Sequence, residues 1–158
     1  MSALRYIGID PGNSCGWALL SEDGHRIGSG RWNLVKAQSD GQGMRFVRFE
    51  RLLRELIGPD TDLVVGYDLI QPYGSGSAKA MYYKVVGRLE SCLDEMNLPY
   101  VGVPPSVYKR TATGKGNASK EATVAAAKSR WPELADEDLV HDEADSLWIA
   151  EAVRLGLV

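Results

Sequence analysis

The sequence predicts one α/β domain on a mixed five-stranded sheet, three strands antiparallel and then two parallel, with helices on both faces. Three observations predict it. Three strand-length apolar segments come in a row before any helical pattern, and strands then alternate with helical patterns. The length, 158 residues, suits one domain (1–158) with a proper core and is too short for two. With 44% hydrophobic and 25% charged residues, the composition is that of an ordinary globular chain, so disorder, coiled coil and collagen are excluded.

Residues 5–10 (RYIGID) read as a short apolar strand ending in an acid. Pro11-Gly12-Asn13 is turn chemistry, and 16–20 (GWALL) follows as a second strand. Glu22-Asp23-Gly24-His25 signals a hairpin into a third strand, 26–34, completing a meander. Phe46, Phe49, Leu52, Leu53 and Leu56 recur at helical spacing over 43–57, with Arg45, Arg48, Arg51 and Arg54 on other faces and Gly58-Pro59 as the stop. The arginine stripe reads as a solvated face, with contact to a charged partner as the alternative. Residues 62–68 (DLVVGYD) make a fourth strand that again ends in an acid.

A Gly/Ser-rich loop covers 71–77, Ser77 caps a helix to about 96, and 100–103 is the fifth strand. Pro104-Pro105-Ser106 opens a short helical turn before a basic loop, Thr113-Gly114-Lys115-Gly116-Asn117. A helix is expected over 118–130, an acidic link after it, and a last helix over 141–155. The order is βββαβαβαα, with no internal repeat and no linker.

Strands one and four both end in a carboxylate, Asp10 and Asp68, and ligand sites in open α/β sheets lie off such strand ends. The last helix opens with Asp142 and Asp145, spaced i, i+3 and so on one helix face. Each acid has a plain structural reading, as turn former, cap or partner of a helix N-terminus. Yet Asp145 adjoins the apolar run Leu147-Trp148-Ile149, where an unneeded carboxylate is costly. Four acids from three segments, without a Cys/His set, suit a hard cation, Mg²⁺ or Mn²⁺, and not zinc. Two such ions about 3.5–4 Å apart are the arrangement used in phosphodiester hydrolysis.

The segments IGIDPG (7–12), the acid after DLVVGY, TGKGNASKEA (113–122) and HDEADSLWIA (141–150) together resemble RuvC-type Holliday-junction resolvases, compact endonucleases of the RNase H-like superfamily that include bacteriophage members. IGIDPG alone is shared with sugar kinases, actins and heat-shock ATPases, which need two such domains and more than twice this length. HDEAD implies no helicase, because Gly114-Lys115 lacks the upstream glycine of a phosphate loop. The resemblance implies an RNase H-like fold with Asp10 as central ligand, Asp68 as second acid, Asp145 as main helix ligand and Asp142 as fourth carboxylate. It places Lys109 and Lys120 near the scissile phosphate, Lys120 among the catalytic groups. His141, beside the acids, is either inert or an aid to water activation. The family carries Glu where this chain has Asp68. The lost methylene retracts the carboxylate by roughly 1.3 Å, against a catalytic tolerance of about 0.5 Å.

The formal net charge of −3 argues at first against a nucleic-acid partner. The charge is uneven, however. No acid occurs over 96–120, which carries Lys109, Arg110, Lys115 and Lys120, or over 69–89, which carries Lys79, Lys84 and Arg88. These basic stretches, with Ser75 and Asn117 in the adjoining loops, are candidate DNA contacts, and a solvated basic loop is the plain alternative. Tyr73 is a candidate wedge at the crossover. Two bound divalent ions would bring the net charge to about +1.

The expected partners are a four-way DNA junction and a second copy of the chain. The dimer surface is expected on the 77–96 helix at Met81, Tyr82, Val85, Val86 and Leu89, although core packing would explain the same residues. No membrane segment and no nucleotide cofactor are expected. The start MSALRYIGIDPG does not read as a signal peptide, and Cys15 and Cys92 form no disulfide framework or zinc spacing. A bacterial cytoplasm, or a host cytoplasm for a phage-encoded chain, is the expected location. Asn117-Ala118-Ser119 is then a chance sequon. The rival functions are another small RNase H-like nuclease, acting on ribosomal-RNA precursors or RNA–DNA hybrids, and a junction-binding protein with weakened catalysis.

Overall fold

The computed structural model describes residues 3–59, 61–70 and 76–158. Strands β1 (Arg5–Asp10), β2 (Ser14–Leu20) and β3 (Arg26–Asn33) form the expected antiparallel meander. β4 (Leu63–Asp68) adds parallel to β1, and β5 (Tyr100–Val103) adds parallel to β4, giving the sheet order β3-β2-β1-β4-β5.

Alternation along each strand splits the apolar residues between two cores. On one face Ile7, Ile9, Leu19, Val65 and Tyr67 pack with α1 (Met44–Ile57) and α2 (Ser77–Glu95). On the other, Ala18, Leu20 and Val103 pack with α3 (Pro105–Thr113), α4 (Lys120–Arg130) and α5 (His141–Arg154). Among the described residues no helix is long and apolar enough to cross a membrane.

The structure corrects two expectations. The turn expected at Pro104–Ser106 is a nine-residue helix that takes in Thr113, so the order gains a helix, βββαβαβααα. Pro105 supplies a fixed φ in its first turn, Tyr108 is buried, and Gly114 closes it at φ 85 with its amide on the Arg110 carbonyl at 2.8 Å. So short an apolar stripe carries little periodic signal, and packing makes this helix. The second correction concerns the expected dimer surface. Met81, Tyr82, Val85, Val86 and Leu89 are all buried in the α1/α2 core of the chain itself. α2 instead shows Tyr83, Lys84, Gly87 and Arg88 to solvent.

Two of the four arginines in the α1 stripe are tied to acids, Arg48 to Asp40 at 3.0 Å and Arg54 to Glu50 and Glu95 at 3.4 and 3.1 Å. That supports the solvated-face reading.

α5 crosses the sheet at its central strands, where glycines remove the side chains that would hold it off. A Cβ at Gly8 would overlap the Ser146 carbonyl, and one at Gly16 the Asp142 carbonyl. One at Gly66 would come within 2.6 Å of Val153. The far end of α5 is anchored by Glu151, buried and paired with Arg130 at 3.5 Å and with Arg154. Arg130 and the Trp131 indole both donate to the Gly24 carbonyl at 3.0 Å, locking the β2–β3 hairpin to this end. The first turn of α5 is thereby fixed over the ends of β1 and β4.

Candidate active site

Gly8 and Gly16 place the even-numbered positions of β1 and β2 on the α5 face, so Asp10 points toward α5 as well. The β1–β4 register runs to Ile9↔Tyr67, and its next step sets Asp10 beside Asp68. Asp142 and Asp145 descend from the first turns of α5. The result is a cavity of about 310 Å³ lined by Asp10, Asp68, Asp142 and Asp145, with Tyr108, Lys109, Lys120, Thr123 and His141 among its other walls.

Each acid is held by its own surroundings. Asp68 is 7% exposed, and its carboxylate lies beside the Asp10 carboxyl and the Tyr108 hydroxyl, both of which help hold it ionised. Its Oδ1 nevertheless has no hydrogen-bond partner. The Asp68 main chain is fixed from the opposite face by Tyr82, whose hydroxyl donates to the Asp68 carbonyl at 2.8 Å and accepts from the Ile70 amide at 3.3 Å. His141 Nε2 lies 3.0 Å from Asp142 Oδ1, and Ser146 donates to the Asp142 carbonyl at 2.8 Å.

Burial and mutual repulsion set the charge state. Burial, then the charges of Asp68, Asp145 and Asp142, hold the Asp10 carboxyl well above the usual carboxylate range. Burial pushes Asp68 up to about 6, although the Asp10 and Tyr108 hydrogen bonds and the Lys109 charge pull it down. Burial, followed by Asp68 and Asp142, lifts Asp145 to about 7 against Lys109 and Lys120. The two lysines therefore offset only part of the upward shift. Clustered carboxylates with raised pKa values and an orphaned oxygen mark a place where positive charge is wanted.

The residues fit a hard divalent cation by donor chemistry. Four carboxylates face one cavity, its only imidazole, His141, is engaged with Asp142, and the nearby Cys15 thiol is fully buried. The site is not a finished cage, because among the described residues no group of three His, Cys, Asp or Glu side chains is set to hold a metal ion.

Of the other candidates from sequence, Lys109 and Lys120 line the cavity. Lys109 rides on α3 next to Tyr108. Lys120 opens α4, whose start is fixed by Ser119 accepting the Ala122 amide at 3.1 Å and whose body is tied to α5 by the Trp148 indole on the Thr123 carbonyl at 3.0 Å. Lys84 lies elsewhere, on the outer face of α2 with its ammonium 6.0 Å from the Phe46 ring. Lys79 is on the first turns of α2, and neither it nor Lys84 is among the described residues lining the cavity. Arg110, Lys115 and Asn117 are exposed on α3 and the α3–α4 loop, outside that lining. Tyr73 and Ser75 lie outside the described residues.

Sequence reading missed Tyr108 and Thr123, and took Tyr82 for a dimer-surface or core residue. The one sequence signal for them is position, Tyr108 next to Lys109 and Thr123 one helical turn after Lys120.

A structure of Thermus thermophilus RuvC superposes with a TM-score of 0.77 at 17% identity, covering 97% of both chains. This is a RuvC fold. A second structure, T. thermophilus RuvC in complex with a Holliday junction substrate, matches with a TM-score of 0.76 at 17% identity over 97% of this chain and 96% of the other. By sequence the chain is 28% identical over 151 residues to a crossover junction endodeoxyribonuclease RuvC of Ruegeria pomeroyi, covering 93% of this chain and 88% of the relative. It is also 28% identical over 156 residues to the RuvC of Methylobacterium radiotolerans, covering 94% of this chain and 72% of the relative. No family model matches the sequence. The RuvC resemblance carried by IGIDPG and HDEADSLWIA therefore extends to the whole RuvC-type architecture, sheet and helices alike.

Proposed function

We propose that the chain is a structure-selective endonuclease that resolves four-way DNA junctions by paired, metal-dependent phosphodiester hydrolysis, using one nuclease domain over its whole length. The observation that carries the reading is the cavity in which Asp10, Asp68, Asp142 and Asp145 meet Lys109 and Lys120 on a RuvC-type fold. An acid cluster attracts no phosphate by itself. With cations between, the same cluster becomes a phosphate site.

The four carboxylates would hold Mg²⁺ or Mn²⁺, two ions per site, with Asp10 central and the orphaned Asp68 oxygen as a ready donor. When bound, the ions neutralise the phosphate, acidify the attacking water and stabilise the leaving oxygen. The protein supplies position and charge. Lys109 and Lys120 reach the non-bridging phosphate oxygens from α3 and α4, Lys120 placed by its helix cap. Tyr108 keeps the Asp68 carboxylate in one orientation while Tyr82 fixes its backbone. His141 orients Asp142 through its 3.0 Å contact, and Ser146 ties down the same turn. Exposed Arg110 on α3, with Lys115 and Asn117 on the α3–α4 loop, adds phosphate contacts beyond the scissile one.

Two sites nicking opposite strands imply a two-fold dimer. The outer face of α1 and α2, with Phe46, Tyr83, Lys84, Gly87 and Arg88 around one groove, replaces the buried α2 residues as its surface. A bacterial or host cytoplasm supplies both the DNA and the reducing conditions that two buried free cysteines suit.

The test is incubation of a four-way junction, a flap, a linear duplex and an RNA–DNA hybrid with Mg²⁺ or Mn²⁺. Paired symmetric nicks confined to the junction are expected. Equal cutting of all four overturns junction selectivity, preference for the hybrid supports a ribonuclease, and tight junction binding without cleavage in either ion supports a weakened enzyme.

A further inference from the structure

A second cavity lies apart from the acid cluster. A groove of about 560 Å³ opens at the end of the β2–β3 ladder, lined by Asn13, Ser14, Arg31, Trp32, Asn33 and Val35. None of these residues is acidic, and Arg31 is exposed with its guanidinium 3.5 Å from the Ser14 hydroxyl. The walls are built rather than loose. The Leu34 amide donates to the Asn13 carbonyl at 2.7 Å, and the Val35 amide to Asn33 Oδ1 at 3.0 Å. Trp32 stacks on Trp17 with centroids 5.9 Å apart and meets Phe49 edge-on at 6.0 Å.

One wall of the groove, Arg31, is coupled to the acid cavity by register, while Trp32, next in β3, faces the α1 side. Asp10 pairs with Gly16, and Gly16 pairs with Arg31, so the three form one cross-strand row whose side chains share the α5 face. Gly16 has no side chain to separate the other two. Two strand spacings put Arg31 roughly 10 Å from Asp10. A duplex strand rises about 3.4 Å per nucleotide, so that span reaches a phosphate within about three nucleotides of the one at the acids.

We propose that this groove binds the backbone of the cut strand, with Arg31 on a phosphate flanking the scissile one and Trp32 as the apolar wall for the adjoining sugar or base. The proposal rests on the nuclease reading above and adds to it a positioning residue that fixes which phosphate enters the acid cavity. Arg31 touches no reacting atom. Its charge holds the strand in register while Lys109 and Lys120 hold the scissile group.

The experiment uses the full chain carrying Asp10→Asn, so that DNA is bound and not cut, with and without Arg31→Ala. Four-way junctions carrying one neutral methylphosphonate are scanned through the strand at the crossover. We expect one methylphosphonate to weaken the Asp10→Asn protein about tenfold and to have no further effect once Arg31 is alanine. Arg31→Ala is also expected to flatten the log K against log salt slope by about 0.9, the share of one phosphate, with Arg31→Lys restoring it. Melting temperature should not change, because Arg31 is exposed. Additive losses at every position, or an unchanged salt slope, overturn the groove. A protein that binds duplex as tightly as junction loses junction selectivity, and the same cycle run on duplex then decides the groove independently. No DNA binding at all overturns both.

Discussion

Gly16 is the register partner of Asp10 and also lies directly beneath the Asp142 main chain, so one residue without a side chain sets how closely β1 and α5 bring their acids together. A Cβ at this point would meet the Asp142 carbonyl and the Ser146 hydroxyl that bonds to it. Backbone cannot step aside as a flexible side chain can, so α5 would have to lift.

Gly16→Ala is therefore expected to destabilise the fold by about 1–3 kcal/mol, the usual range for overpacking, and to cost more activity than stability. Gly12→Ala is the control, since its Cβ would meet only the Ser14 carbonyl at 3.6 Å. Urea unfolding of both variants checks this. Equal midpoints would show that α5 is not seated on Gly16.

Asp10→Asn and Asp145→Asn should each abolish cleavage while leaving junction binding equal or tighter, because removing an acid lowers repulsion with phosphate. A nicking assay read beside a gel-shift titration separates the two effects. Retention of more than about a tenth of wild-type cleavage by either variant would remove that residue from the metal set.

The metal-free protein should be more stable in mild acid than in mild base. Burial raises Asp68 to about 6 and Asp145 to about 7 in the folded chain, while unfolded aspartates titrate near 4. The folded state thus binds protons more tightly, so this contribution is fully present below about pH 4 and is lost as pH rises through 6 to 7. Melting in a chelator at about pH 5 and about pH 8 checks the sign. Added Mg²⁺ should raise the melting temperature mainly at the higher pH, where the carboxylates are ionised.

Asp68→Glu should keep or increase cleavage. The added methylene extends the carboxylate by roughly 1.3 Å into the cavity, toward the other three acids. Complete loss of cleavage in a folded Asp68→Glu protein would refute the placement of the second acid.

Tyr108→Phe should slow cleavage about tenfold at nearly unchanged substrate affinity, because it frees the Asp68 carboxylate to rotate without touching DNA. Single-turnover rates measured over a range of junction concentrations distinguish this from weakened binding. A change in affinity alone would move Tyr108 out of the positioning role.

Much of the fold was legible because its signals are local and repeated. The meander shows as three short apolar runs with turn residues between them, and α1 as a strong periodic stripe ended by Gly58. α3 was not legible beyond its first turn, since Val107, Tyr108 and Ala112 give it few apolar positions and contact with the α4–α5 face stabilises the rest. The α2 stripe was legible as apolar but not as core or interface. Periodicity reports which face is buried and is silent on what buries it.

The same division holds at the site. Sequence by itself determined the four acids, since strand-end aspartates and an i, i+3 pair are patterns along the chain, and it marked Lys109 and Lys120 inside an acid-free stretch. Only the tertiary structure decided which of the described candidate DNA contacts stand at the cavity, for that depends on where α2, α3 and α4 meet the sheet. It alone showed Tyr82 bonded to the Asp68 carbonyl from one face and Tyr108 beside the Asp68 carboxylate on the other, and Arg31 two strands from Asp10 with a glycine between. Strand register and helix seating join residues far apart in the chain, and contacts of that kind leave no periodic trace in a single sequence.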